Sequence, residues 1–192
     1  GIYLQTAVAN TITNNNITTN GTSINHGINL NTNVNNNTIS NNIISTGGSA
    51  GSNYGIDLTT GANNNTIYNN IISAGGSANN NIGIYLIYSA GNNITNNNIT
   101  TNGSGNNHGI YVTTSANYTI IDKNRISTAG SSSQNEGIQL AGAYWNNVTN
   151  NNITTNGTSD NWGIAINNGA PNNLVSNNII STWGSGGSNY GI

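Results

Sequence analysis

Aliphatic residues recur along this chain at nearly constant intervals. A Gly-Ile pair returns every 26 or 28 residues, so the sequence contains seven copies of one unit and the start of an eighth. The glycines of these pairs are Gly1, Gly27, Gly55, Gly83, Gly109, Gly137, Gly163 and Gly191. A period in this range is typical of stacked repeat proteins, in which each unit buries its apolar face against its neighbours.

Each unit contains three short stretches in which apolar and polar residues alternate. In the first unit they cover residues 2–5, 11–13 and 16–19. Alternation with a period of two predicts β-strands with one buried face. Because only an Asn14-Asn15 corner separates the second and third stretches, they cannot pair with each other. We therefore predict that equivalent strands of successive units pair in parallel and enclose columns of aliphatic side chains.

One corner position is asparagine in every unit. The column comprises Asn15, Asn42, Asn70, Asn97, Asn124, Asn151 and Asn178. An Asn amide both donates and accepts hydrogen bonds, and Asn tolerates left-handed backbone geometry at a tight corner. We predict an Asn ladder here. A second invariant column, from Gly21 to Gly184, indicates a turn that needs positive φ or close backbone approach.

The composition narrows the class of protein. Asn fills 48 of 192 positions, Cys is absent, and six charged residues give a net charge of −2. Many β-branched residues and few charges argue for an ordered chain. Without a basic stripe we expect no nucleic-acid partner, and without Cys no disulfide or thiolate metal site. No stretch approaches the roughly 20 apolar residues of a membrane span.

The sequence begins and stops at equivalent points of the repeat. We expect a single β-helix domain over residues 1–192. It would be either a segment of a longer chain or a filament subunit without caps, which solenoids otherwise use to remain soluble.

The repeat unit resembles those of a known superfamily. Gly-Ile-x-Leu, followed by Asn-x-Ile-x-Asn-Asn-x-Ile at coil spacing, is similar to the parallel β-helix repeats of the pectin-lyase-like superfamily, and to its Asn-rich microbial surface proteins. The resemblance covers the whole chain. It implies an all-β, right-handed, single-stranded parallel β-helix of seven coils with three short strands each. Members range from polysaccharide lyases and hydrolases to phage tailspikes, so the fold does not select an activity.

Candidate catalytic groups are scarce. General acid/base chemistry requires two titratable groups within reach of one bond, and Asp57 has no acidic neighbour in its column. We therefore expect no catalytic residues, no cofactor and no enzyme activity in this segment. His26 and His108 lie three coils apart and cannot share a metal within one chain, so no metal site is expected.

Four of the six charged residues fall close together in the fifth coil. They are Asp122, Lys123, Arg125 and Glu136. They could form a local ion or ligand site, but solvated surface ion pairs are the favoured interpretation.

Aromatic residues mark one side of the predicted helix. They occupy outward positions of the first strand and the position before Gly-Ile. The candidates are Tyr3, Tyr85, Tyr111, Tyr54, Trp162 and Tyr190. Such side chains could stack on sugar rings, contact a neighbouring protomer, or cover the corner by packing on each other. Covering or lateral contacts are favoured.

These features favour a non-catalytic structural protein located outside the cell or on its surface. It would build a filament, sheath or surface layer by stacking β-helices, with head-to-tail or lateral self-association. The alternative is a carbohydrate-binding or polysaccharide-processing β-helix whose catalytic residues lie outside this segment. Surface glycans are possible partners, and a viral fibre remains open.

Overall fold

The computed structural model describes residues 1–49, 51–77 and 79–192. The first coil consists of β1 (Ile2–Gln5), β2 (Thr11–Thr13) and β3 (Asn16–Gly21). These are the three strands predicted from the first unit, and β3 extends two residues further than expected.

The later coils repeat this arrangement. The second and third coils contain β4 (Asn25–Asn31), β5 (Thr38–Ser40), β6 (Ile43–Gly48), β7 (Asn53–Thr59), β8 (Thr66–Tyr68) and β9 (Ile71–Ala74). The fourth and fifth contain β10 (Asn81–Ile87), β11 (Asn93–Thr95), β12 (Asn98–Thr101), β13 (His108–Thr113), β14 (Ile120–Asp122) and β15 (Arg125–Ala129). The sixth and seventh contain β16 (Ile138–Ala141), β17 (Asn147–Thr149), β18 (Asn152–Gly157), β19 (Ile164–Asn167), β20 (Leu174–Ser176) and β21 (Ile179–Gly184).

The strands form three seven-stranded parallel sheets. The first sheet has the order β1-β4-β7-β10-β13-β16-β19, the second β2-β5-β8-β11-β14-β17-β20, and the third β3-β6-β9-β12-β15-β18-β21. Each strand therefore pairs with its equivalent in the next coil. Ile17 lies against Ile44, and Ile44 against Ile72, as the aliphatic columns require. The predicted β-solenoid with three strands per coil is confirmed.

The interior of the solenoid is filled by branched aliphatic side chains. In the central coils these residues are fully buried, as at Ile56, Leu58 and Ile94. Within the described ranges, no helix is long and apolar enough to cross a lipid bilayer.

The glycine of the Gly-Ile pair lies against an Ile side chain of the third sheet. A Cβ added at Gly83 would collide with Cγ2 of Ile99 and would lie 2.5 Å from the carbonyl oxygen of Gly109. The same two kinds of neighbour, an Ile of the third sheet and the next coil's glycine carbonyl, meet the Cβ at Gly27 and Gly137. Glycine recurs at this position because a larger residue has no space.

The predicted Asn ladder is present. The backbone N–H and Nδ2 of Asn97 donate to Oδ1 of Asn124 over 2.9 and 3.0 Å, and Nδ2 also donates to the carbonyl oxygen of Ile67. Equivalent bonds join every pair of neighbours from Asn15 to Asn178. One detail of the prediction is wrong. The left-handed backbone falls one residue before the ladder, at positions equivalent to Asn96, whose φ is 55°.

Two further Asn ladders occupy the other corners. One lies at or just before the start of the first-sheet strands and comprises Asn25, Asn53, Asn81, Asn107, Asn135, Asn161 and Asn189. The other precedes the second sheet and comprises Asn10, Asn37, Asn65 and Asn92, then Asn146 and Asn173, with Thr119 between these two groups. The invariant glycine column lies against the first of these ladders, since a Cβ at Gly48 would lie 2.5 Å from Nδ2 of Asn25. Close approach therefore explains that column.

Candidate functional site

The outer face of the first sheet carries half of the aromatic and titratable residues of the chain. Two columns of side chains run along it. The column before the Gly-Ile glycine contains His26, Tyr54, Ile82, His108, Glu136, Trp162 and Tyr190. The adjacent outward column contains Tyr3, Asn29, Asp57, Tyr85, Tyr111, Gln139 and Ala165.

Five rings from these columns form a continuous aromatic row. Their order is His26, Tyr54, Tyr85, Tyr111 and His108, with centroids 5.0 to 5.5 Å apart and tilted planes. Each contact in the row is within the range of attractive aromatic pairs. The structure thus brings together three of the six aromatic candidates.

Among the described residues, no ring contact joins the other three aromatic candidates to this row. Tyr3 and Tyr190 are each 59% exposed, and Trp162 donates its Nε1–H to the carbonyl oxygen of Ser188.

Asp57 lies beneath the row and is almost inaccessible to solvent, at 4% exposure. Its Oδ2 accepts a 2.7 Å hydrogen bond from Nδ2 of Asn29 and lies 3.7 Å from Nε2 of His26. Its Oδ1 has no hydrogen-bond partner among the described residues. Burial raises the pKa of Asp57 to about 7 and lowers the pKa of His26. At neutral pH the histidine therefore supplies little positive charge to the carboxyl group.

A second histidine and carboxyl pair lies at the opposite end of the row. His108 Nδ1 and Glu136 Oε2 are 2.6 Å apart, and both side chains are buried. The interpretation of Glu136 as a solvated surface charge is therefore wrong. Lys123 and Asp122 do form an exposed pair, with 3.3 Å between Nζ and Oδ2.

The sequence analysis missed both histidine and carboxyl pairs. Both pairs join residues of successive coils. The aligned repeats contain the signal for the second pair alone, since Glu136 directly follows His108 in its column, whereas His26 and Asp57 lie in different columns. The charges had been grouped by coil instead.

A cleft of about 330 Å³ opens beside the second pair. Its walls include His108, Tyr111, Glu136, Gln139, Trp162 and Asn167. The cleft exists because the outward column changes from Tyr85 and Tyr111 to the smaller Gln139 and Ala165 over the next two coils.

The groups of this face can hold protons, stack on flat ligands and form neutral hydrogen bonds. Within the described ranges, no group of three or more His, Cys, Asp or Glu side chains could hold a metal ion.

Comparisons with known proteins give limited similarity. No protein-family model matches the chain, and no curated protein sequence matches it. Among solved structures, the A-module of the mannuronan C-5 epimerase AlgE6 of Azotobacter vinelandii is 16% identical, with a TM-score of 0.44. The match covers 93% of this chain and 57% of the module, so the chain spans little more than half of that structure. QnrB1, a plasmid-mediated fluoroquinolone resistance protein, is 10% identical over 92% of this chain and 91% of its own, with a TM-score of 0.17. Neither similarity carries an argument about activity.

Proposed function

We propose that the chain is a non-catalytic structural protein that builds an extracellular filament, sheath or surface layer by stacking of β-helices. The observation that carries this proposal is the equivalence of the coils. Three Asn ladders and three parallel sheets present almost the same donors and acceptors at each level of the solenoid. A coil supplied by a second copy could form the same bonds as the next coil of the same chain.

Head-to-tail addition is the form of assembly that these bonds favour. An open sheet edge presents unpaired N–H and C=O groups to a further strand. A contact between the two different ends of a subunit is heterologous, so repeating it extends a fibre. Seven coils at a strand spacing of about 4.8 Å predict an axial rise of roughly 34 Å per subunit. Placement outside the cell rests on the resemblance to Asn-rich surface proteins.

The test measures association of the purified chain. Light scattering after size-exclusion chromatography, followed by helical image analysis, should show fibres that lengthen with concentration and have the predicted rise. Asn178→Asp should weaken this stacking. Its Oδ1 would still accept from Asn151, but a carboxylate oxygen would replace the Nδ2 donor, which bonds to the carbonyl oxygen of Val148 and should also face Asn15 of the next copy.

Asn98→Asp is the matched control, because Asn98 is exposed on the outer face of the third sheet. This variant should assemble like the unmodified chain. A chain that stays monomeric at all concentrations would overturn the stacking proposal. Fibres equally sensitive to both substitutions would instead indicate lateral association.

A further inference from the structure

The cleft beside His108 is built on rigid aromatic side chains. The Tyr111 ring packs at 5.5 Å from Tyr85 and 5.0 Å from His108, measured between centroids. The hydrogen bond from Trp162 to Ser188 restrains the indole ring. Because these rings are already fixed, a ligand that packs on them loses little free energy to ordering of side chains. Flat, partly exposed rings of this kind suit a ligand with one apolar face.

Neutral polar groups with spare hydrogen-bonding capacity complete the walls. Oδ1 of Asn167 is buried and has no hydrogen-bond partner among the described residues. The Gln139 side chain, which also lines the cleft, is partly exposed. It makes no hydrogen bond to the described residues either. A side-chain amide both donates and accepts, as hydroxyl groups do. Leaving a buried amide oxygen unpaired has an energetic cost, which a hydroxyl donor would remove.

The charges of the cleft disfavour an ionic ligand. Its walls contain no Lys or Arg, so an anionic ligand would meet the Glu136 carboxyl group with no fixed cation to offset it. A cationic ligand would have to displace His108, whose Nδ1 already lies 2.6 Å from Oε2 of Glu136. The volume of about 330 Å³ falls at the lower end of the range for small-ligand sites.

We propose that this cleft binds a neutral sugar ring. A pyranose presents an apolar C–H face, which would pack on Trp162 and Tyr111, and a rim of hydroxyl groups, which would bond to Gln139 and Asn167. The cleft is partly open to solvent, so an oligosaccharide can extend beyond the bound ring. The cleft is lined in part by β19, the last strand of the first sheet, so a stacked copy would lie next to it and a structural rod would present the site once per subunit.

The test is calorimetric titration of the monomeric protein. The probes are neutral gluco-, manno-, galacto- and xylo-hexaoses, with an oligogalacturonate of equal length as the anionic comparison. At least one neutral hexaose should bind, and the uronate should bind more weakly. Trp162→Ala should weaken that binding about tenfold or more, since aromatic anchors dominate most binding sites. Gln139→Leu should also weaken it, and this partly exposed position should tolerate the change without loss of the fold.

Trp183→Ala is the matched control, since Trp183 is 62% exposed on the third sheet, away from the cleft. Its binding should equal that of the unmodified protein. The proposal is overturned if no neutral hexaose binds, if the uronate binds more tightly, or if Trp183→Ala weakens binding as much as Trp162→Ala. Circular dichroism establishes that each variant is folded. Fibre formation does not enter the measurement, so this result and the stacking result can fail separately.

Discussion

Asp57 is a carboxyl group held away from water by neighbouring aromatic rings. One hydrogen bond from Asn29 is the only one it accepts within the described part of the chain. The folded state therefore favours the protonated form, with a pKa of about 7 against an ordinary value of 3.8. Since the folded pKa is raised, stability should fall as the pH rises from about 4 to about 7, where the buried carboxyl group loses its proton.

Asp57→Asn should remove this loss of stability. The amide keeps an oxygen that can accept from Asn29, but it has no proton to lose. At pH 8 we expect the free energy of unfolding of the variant to exceed that of the unmodified protein by roughly 2–4 kcal/mol. At pH 4 the two free energies should be similar. Urea titrations at both pH values, monitored by circular dichroism, measure the difference.

Asp122 provides a control, because its pKa is shifted in the opposite direction to that of Asp57. Slight desolvation would raise the pKa of Asp122, but hydrogen bonds from Asn150 and Thr149 together with Lys123 hold it below its ordinary value. Asp122→Asn should therefore give no gain in stability at pH 8. If it stabilised the protein as much as Asp57→Asn, the explanation by burial would be wrong.

The environments of these carboxyl groups could be predicted only in part. Repeat alignment gave the column of Asp57, with Asn29 before it and Tyr85 after it. It did not show that His26, in the other column and the preceding coil, reaches to 3.7 Å. Contacts between columns depend on side-chain rotamers and on the geometry of the strand, which the repeat period does not specify.

The three ladders connect the short strands into continuous sheets. A three-residue strand such as β11 offers few backbone bonds, so the corners supply much of the remaining connection between coils. Buried Asn97 illustrates this role, because its oxygen accepts from both the backbone N–H and Nδ2 of Asn70. Buried groups that lose such partners retain their desolvation cost.

Asn97→Ala should therefore destabilise the protein strongly. It leaves the backbone N–H of Asn70 without its acceptor, removes one of the three acceptors of Asn70 Nδ2, and removes a donor to the carbonyl oxygen of Ile67. We expect a loss of about 3 kcal/mol or more in the free energy of unfolding, measured by urea denaturation.

The neighbouring exposed residue is the control for this prediction. Asn98→Ala removes only an acceptor that lies 3.4 Å from the Arg125 guanidinium, and should cost less than about 0.5 kcal/mol. Similar losses for both substitutions would show that the buried amide has no special role.

Sequence reasoning identified one of three equivalent ladders. The corner between the second and third strands lies inside the part of the unit whose length never changes. Its Asn column is therefore in register in every unit and can be recognised directly from the aligned sequence. The column that begins at Asn25 is equally invariant. It follows a segment that differs in length between units, which concealed its register. The Asn10 column was obscured further by Thr119, whose backbone N–H still donates to Asn146.

The whole molecule behaves as a linear series of equivalent units. In each sheet a strand contacts only the strands of the coils before and after it. The stability of such a solenoid is approximately a sum of unit and interface contributions. The period and the aliphatic columns were sufficient to predict this architecture, because each depends only on which residues recur.

Removal of one complete coil should therefore leave a folded protein. Deletion of residues 83–108 joins Ile82 to Gly109 and restores the order of strands, core columns and ladders. We expect cooperative unfolding with a stability lower by roughly one seventh. Circular dichroism and thermal unfolding measure the outcome.

Deletion of residues 83–95 is the control, since it removes about half a coil and joins a first strand directly to the second corner. This variant should not fold, because every later strand would face the wrong sheet. Equal stability of the two deletions would contradict an architecture based on whole coils.

The Asn ladders also have a sense of direction. At each step the Asn of the earlier coil donates through its backbone N–H and its side-chain amide, and the equivalent Asn of the next coil accepts through Oδ1. A coil added in the reverse orientation would bring donor against donor at one end of the rod and oxygen against oxygen at the other. Rods that join through these corners must all point the same way, so the resulting fibre would be polar, with two chemically different tips that grow at unequal rates.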